Sequence, residues 1–162
     1  MLRPGRNLLN AVLTLTFFAV LSGSALASEY PLESVSFLTE QEVASLKKLS
    51  MKTTADAGAR LAGPRSRQEI AKTSGIAVAR LTEIASNFDL MRVRGIGAKM
   101  AQLINGSSIV DCVGLAAAVP EALLGKMRAM NNEKGIASKM PDVSTLGHWI
   151  KQAGDLPAQF LP

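Results

Sequence analysis

The sequence predicts an all-α fold, and three observations support this prediction. Aromatic residues make up only 4% of the chain, whereas β-sheets favour aromatic and β-branched side chains. Apolar residues recur at helical spacing, and no segment alternates apolar and polar residues as a half-buried strand does. Capping residues, prolines and glycines fall where helices would begin and end. With 162 residues, the chain is long enough for one domain with a substantial core.

The helices of the first half are predicted from signals at their ends. Thr39 and Glu42 have the spacing of a capping box. Pro64 suits the first position of a later helix, and Gly75 suits the end of that helix. Asp89 is predicted to cap a new helix that leads into the centre of the chain.

The second half continues in the same way. Asp111 is expected to begin a short helix and Pro120 a longer one. Residues 129–140 contain Asn and Gly and are predicted to form a polar loop. Residues 141–153 are predicted to form the last helix.

The centre of the chain, residues 90–104, is predicted to be two short helices joined by a turn. Gly95 lies where the chain reverses, a position that usually needs a positive φ and therefore glycine. Gly97 opens the second helix without a side chain. Ile96 is expected to fill the gap between the helices, and Ala101 is small enough to let them approach closely.

The N-terminus has the pattern of a secretory signal peptide. Arg3 and Arg6 precede an apolar run of fourteen residues, 8–21, and residues 25–27 are Ala-Leu-Ala. The run is short for a membrane span, which needs about 20 residues. We predict cleavage after Ala27 and a periplasmic or secreted mature chain, assuming a bacterial source; an uncleaved membrane anchor is the alternative.

Charge and the scarcity of reactive residues limit the function. The net charge is +5. Residues 1–27 contain two arginines and no acidic residue, so the remainder has 16 basic and 13 acidic side chains, a net charge of +3. This mild basic bias allows anionic partners without identifying one. His148 is the only histidine and Cys112 the only cysteine, so we expect no metal or cofactor site and no enzymatic activity.

The central turn resembles the helix-hairpin-helix motif, in which hydrophobic-Gly-hydrophobic-Gly is followed four residues later by a small residue. The wider chain, residues 38–156, resembles a bacterial family of tandem helix-hairpin-helix domains of unknown function. Segments about 55 residues apart echo one another. The resemblance implies two pairs of hairpins, with one intact Gly-Ile-Gly turn and degenerate turns at residues 63–65 and 119–121, plus a C-terminal helix. Residues 28–37 would form a loosely held, extended leader and residues 157–162 a tail.

In proteins with the helix-hairpin-helix motif, which the central turn resembles, such a turn binds the phosphate backbone of a nucleic acid without reading its sequence. A helix N-terminus has backbone N–H groups without partners and the positive end of the helix dipole, which suits a phosphate. The opposing interpretation is that the turn only joins two helices and that its basic residues are solvated. The candidate phosphate-binding residues are Arg92, Arg94, Gly95, Ile96, Gly97, Ala98 and Lys99.

Three functions are consistent with these observations. The modest charge, the single intact turn and the predicted compartment favour an exported interaction module that binds another protein, not yet identified. The alternative is sequence-independent binding of double-stranded DNA through its phosphate backbone at the central turn. Exported DNA-uptake receptors of competent bacteria also use helix-hairpin-helix domains, although with paired glycine turns. A lipid- or ligand-binding helical domain is a third hypothesis, with no specific signal.

Overall fold

The computed structural model describes residues 29–161. Within this range the chain forms one 3-10 helix, Leu32–Ser34, and eight α-helices. These are α1 Glu40–Lys48, α2 Thr54–Leu61, α3 Pro64–Ser74, α4 Val78–Leu90, α5 Ala98–Gly106, α6 Cys112–Ala116, α7 Pro120–Lys134 and α8 Val143–Gly154. Between residues 29 and 161, the only β-type pairing is an isolated bridge between Pro31 and Thr53. The predicted all-α fold is therefore confirmed.

The predicted signal peptide, residues 1–27, lies outside the described residues. In residues 29–161, no helix combines the length and the apolar character that crossing a membrane requires.

Helix α4 is at the centre of the fold. It contacts α2, α3, α5 and α6, and residues 84–90 at its C-terminal end are all buried. A buried helix needs partners for its polar side chains. The Ser86 hydroxyl accordingly donates to the Val110 carbonyl and accepts from the Asn105 side chain. The segment that follows α4, which contains the glycine turn, is therefore fixed to the core at its start.

The helix ends follow several of the sequence signals. The Thr39 hydroxyl accepts a hydrogen bond from the Glu42 amide at 3.2 Å, and the Glu42 carboxylate accepts one from the Thr39 amide at 2.8 Å. This is the predicted capping box. Pro64 and Pro120 are the first residues of α3 and α7. Gly75 ends α3 in the left-handed conformation, with φ 75°.

The prediction that Asp89 caps a new helix is wrong. Helix α4 continues through Asp89, whose side chain is 4% exposed. Its carboxylate accepts hydrogen bonds from Arg92 Nη1 at 2.6 Å and from the Cys112 amide at 2.8 Å. Because two strong donors compensate the buried carboxylate, the helix can continue and bury Phe88 and Leu90 on either side of it.

The predicted polar loop at residues 129–140 is also only partly correct. Helix α7 extends to Lys134 and ends at Gly135, which has φ 62°. The Asn131 side chain forms two hydrogen bonds with the backbone of Ala137, at 2.7 and 2.9 Å. Asn131 therefore lies inside α7 and stabilises the turn that follows the helix. The composition of residues 129–140 does not indicate this role.

The leader predicted at residues 28–37 is packed where it is described. Leu32 and Val35 are buried in the core. The Leu32 amide donates to the Lys52 carbonyl at 3.1 Å, and the Thr54 amide donates to the Tyr30 carbonyl at 2.9 Å. Two buried apolar side chains and these backbone hydrogen bonds hold the segment against the core, so the expectation that it is loosely held is corrected.

The predicted tail after α8 is packed as well. Residues 157–161, which we call the strap, run back along the surface toward the corner between α2 and α3. Phe160 is 5% exposed, and the Leu161 amide donates to the Ala62 carbonyl at 2.9 Å. The strap is thus part of the folded domain; Pro162 lies outside the described residues.

Candidate phosphate-binding turn

The glycine turn, formed by Gly95, Ile96 and Gly97, reverses the chain between α4 and α5. Gly95 has φ 95°, in the region that favours glycine. The Ile96 amide donates to the Val93 carbonyl at 3.1 Å, and the Ile96 side chain is fully buried. Gly97 has φ −90° and ψ 178° and precedes the first residue of α5. The glycine turn and the second predicted helix are therefore present. The short first helix predicted from residue 90 is absent, because α4 ends at Leu90 and the Arg92 and Val93 amides donate to carbonyls three residues back, which forms turns over residues 91–95.

Helix α8 supports the turn from the side. A Cβ added at Gly95 would lie 2.9 Å from the indole Nε1 of Trp149. The side-chain amide of Gln152 lies 3.4 Å from the Arg94 carbonyl oxygen and donates to it. Glycine is thus required at position 95 for two reasons: the positive φ and the close approach of the Trp149 ring.

Gly95→Ala is expected to destabilise the protein by about 2–3 kcal/mol, because the positive φ and the Trp149 contact both oppose a side chain. Gly97→Ala is the matched control. No heavy atom lies within 4 Å of a Cβ at Gly97, so its effect should stay within about 1 kcal/mol. Urea titration gives the free energy of unfolding for each variant, and equal losses would contradict the constraint assigned to Gly95.

The start of α5 leaves backbone amides available. The N–H groups of Gly97, Ala98 and Lys99 have no hydrogen-bond acceptor in the described part of the chain, as expected for the first turn of a helix. Gly97 and Ala98 are half-buried and Lys99 is exposed. No side chain caps this helix. The arrangement leaves the amides open to an external acceptor with negative charge.

The charge around the turn is positive. Arg94 and Lys99 are exposed on either side of it. Residues 90–110 contain these two cations and Arg92 and no acidic residue. An anion at the α5 N-terminus would therefore meet attraction from the flanking side chains as well as from the helix dipole.

Arg92 is placed differently from the expectation. Its guanidinium forms an ion pair with Asp89 at 2.6 Å and donates from Nη2 to the Pro157 carbonyl at 2.9 Å. The side chain is only 15% exposed. The buried carboxylate of Asp89 needs a counter-charge, and Arg92 is three residues away along the chain. In this structure Arg92 therefore binds within the protein instead of pointing to a phosphate.

The candidate residues thus separate by role. The exposed side chains of Arg94 and Lys99 flank the unpaired amides of Gly97, Ala98 and Lys99. Gly95 shapes the turn through its positive φ, and Ile96 fixes the turn to the core through its buried side chain. Sequence reasoning missed the supporting residues of α8, because a contact between positions 95 and 149 leaves no local pattern in the sequence.

The only cysteine of the chain, Cys112, is buried beside Asp89 at the end of α4. The Cys112 thiol donates to the Asp89 carbonyl at 3.0 Å, and burial raises the pKa of this thiol well above its usual range. A buried neutral thiol is a poor nucleophile. Within residues 29–161, no three His, Cys, Asp or Glu side chains are grouped so that they could hold a metal ion.

Together, the fold and the turn define an all-α domain in which two helices meet at a glycine turn. The chain belongs to the DUF4332 family, described as a domain of unknown function, whose model matches residues 37–156. The expected membership of a family of unknown function is confirmed; the bacterial origin and the hairpin repeats stay predictions. No curated protein and no solved structure matches the chain.

Proposed function

We propose that this protein is an exported, non-enzymatic helix-hairpin-helix module that binds the phosphate backbone of double-stranded DNA at the glycine turn. The observation that carries the proposal is the set of three backbone amides at residues 97–99, which have no hydrogen-bond partner in the described part of the chain and are flanked by exposed Arg94 and Lys99. Of the three functions consistent with the sequence, this geometry favours DNA binding, because unpaired amides at a helix N-terminus suit a phosphate.

The physical basis is the match between the turn and one phosphate group. Amides at a helix N-terminus donate to phosphate oxygens, and the helix dipole favours the negative charge. Arg94 and Lys99 would contact neighbouring phosphates, which position a duplex without reading its bases. Affinity should therefore depend on salt and be the same for unrelated sequences.

The degenerate turns support a single phosphate site. Helices α3 and α7, at the positions proposed as equivalent, both begin with proline. Proline has no N–H group, so these helix starts offer fewer donors than α5, which begins with Ala98. Val119 precedes α7 where Gly97 precedes α5, and its side chain would hinder a close approach of phosphate. Of these three helix starts, the start of α5 is thus best suited to bind a phosphate group.

The test is a titration of labelled duplex DNA with the chain that follows Ala27, at two salt concentrations. With two cationic contacts, we expect affinity to fall about tenfold between about 50 and about 200 mM salt. Lys99→Glu should weaken binding strongly. It should also reduce the slope of log affinity against log salt concentration by about one, because one phosphate contact is lost. Lys48→Glu makes the same charge change on α1, away from the turn, and should leave most of the affinity.

Two results would contradict this proposal. The first is an absence of DNA binding by the wild-type chain at the lower salt concentration. The second is an equal loss of affinity in Lys99→Glu and Lys48→Glu, which would indicate a general charge effect without a site at the turn.

A second candidate function, binding of another protein, is favoured by three exposed valines in one short segment. Val110, Val113 and Val119 are 42%, 58% and 60% exposed, in a segment, residues 107–120, whose only charged residue is Asp111. If these side chains form one contiguous apolar patch, the patch would be typical of an interaction site. A pull-down from a periplasmic extract that returned no specific protein would count against this candidate.

A further inference from the structure

The strap is held at both ends by arginine side chains. Arg92 donates to the Pro157 carbonyl at 2.9 Å, and Arg67 donates to the Leu161 carbonyl at 2.6 Å. The Leu161 amide completes the second attachment by donating to the Ala62 carbonyl. The strap therefore connects the segment that carries the glycine turn to the corner between α2 and α3.

Phe160 is the principal anchor of the strap. It is 5% exposed, and the Arg67 guanidinium lies 5.1 Å from the centre of its ring. Among the other strap residues, Pro157, Ala158 and Leu161 are exposed and Gln159 is half-buried. One aromatic side chain thus supplies most of the apolar burial that holds the strap in place.

The strap borders a space that is incompletely filled. A pocket of about 230 Å³ is lined by Gly58, Phe88, Arg92, Gln159 and Phe160, among others. Protein cores are close-packed, so a segment that borders such a pocket has fewer packing contacts to lose than a core segment. Phe160 is the only strap side chain that is buried, so weakening this one anchor is expected to open the strap.

Arg92 links the strap to the proposed site. It lies three residues before Gly95, in the same connection between α4 and α5. Nη1 contacts Asp89, and Nη2 contacts the strap. Detachment of the strap would free Nη2 while the ion pair with Asp89 remains, so no buried charge would lose its partner.

We propose that the strap is an autoinhibitory contact that withholds Arg92 from the phosphate backbone. When the strap detaches, Nη2 of Arg92 adds a hydrogen-bond donor beside Arg94 and Lys99 while Nη1 stays on Asp89, and DNA affinity rises. This inference rests on the proposed function and adds regulation of the same site.

The test uses variants that weaken the strap, titrated with the same labelled duplex. Phe160→Ala removes the anchor, and its fold is checked by circular dichroism. We expect it to bind DNA about tenfold more tightly than the wild type, the value of one charge-assisted hydrogen bond. Adding Arg92→Gln to Phe160→Ala should remove this gain, because the freed donor is then absent.

Leu161→Pro serves as the releasing variant if Phe160→Ala does not fold. Proline removes the N–H that donates to Ala62 and keeps the Phe160 side chain, so we expect a smaller gain, of about threefold. Leu161→Ala is the matched control, because it shortens the same exposed side chain and keeps the N–H group. It should bind like the wild type.

The outcomes separate this inference from the proposed function. Binding by the wild type that is sensitive to Lys99→Glu, together with no gain in a folded strap variant, would overturn the strap inference alone. A gain that persists without Arg92 would also overturn it. An absence of binding in the wild type and in every strap variant would overturn both.

Discussion

Gly97→Asp is expected to abolish DNA binding while the fold remains intact. Gly97 precedes α5 with extended backbone dihedrals that any residue adopts, and Asp is among the best N-cap residues. Its carboxylate would accept hydrogen bonds from the first amides of α5 and place a negative charge where the phosphate binds. Loss of two charge-assisted hydrogen bonds corresponds to a reduction of about 100-fold or more in affinity.

Two measurements on the same variant check this result. A DNA titration gives the affinity, and a urea titration gives the free energy of unfolding, which should be unchanged or higher by up to about 1 kcal/mol. Gly97→Ala is the control that adds a side chain without a charge or an acceptor, and it should retain most of the binding. Wild-type affinity in Gly97→Asp would exclude the amides of α5 as the phosphate site.

Asp89→Ala is expected to cost about 3–5 kcal/mol of the free energy of unfolding, the largest stability effect that we predict. The substitution leaves Arg92 half-buried without its counter-charge and the Cys112 amide without its acceptor. Both contacts connect the end of α4 to the segments that follow it, so their loss also loosens the approach to the glycine turn.

Asp111→Ala is the matched control for Asp89→Ala. Asp111 caps α6 by accepting a hydrogen bond from the Gly114 amide at 2.6 Å, and loss of a helix cap costs about 1 kcal/mol. If Asp89 were only a helix cap, as its sequence context suggests, the two substitutions would cost the same. Equal midpoints in urea titrations of the two variants would therefore contradict the buried ion pair.

Features that depend on neighbours in the chain were predictable. The Thr39–Glu42 capping box, the helix starts at Pro64 and Pro120 and the reversal at Gly95 each involve only a few consecutive residues. Their conformations follow from side-chain hydrogen bonds and from the restrictions on proline and glycine. Local chemistry thus determines much of the helix layout and the glycine turn.

Features that depend on distant contacts were not predictable. Asp89 has the composition of a helix cap, but its carboxylate is bound by Cys112, 23 residues later. Arg92 looks like a phosphate ligand beside Arg94, but it contacts Pro157, 65 residues later. The sequence pattern around each residue is the same whether or not these contacts form, so only the packed structure distinguishes the two roles.

The contact between α8 and the turn has a practical consequence. Trp149 is the only tryptophan of the chain, and its indole nitrogen lies directly beside Gly95. The protein therefore contains an intrinsic fluorophore at its candidate site. Changes in its emission on addition of a ligand would report events at this turn without any label, since no second indole contributes background.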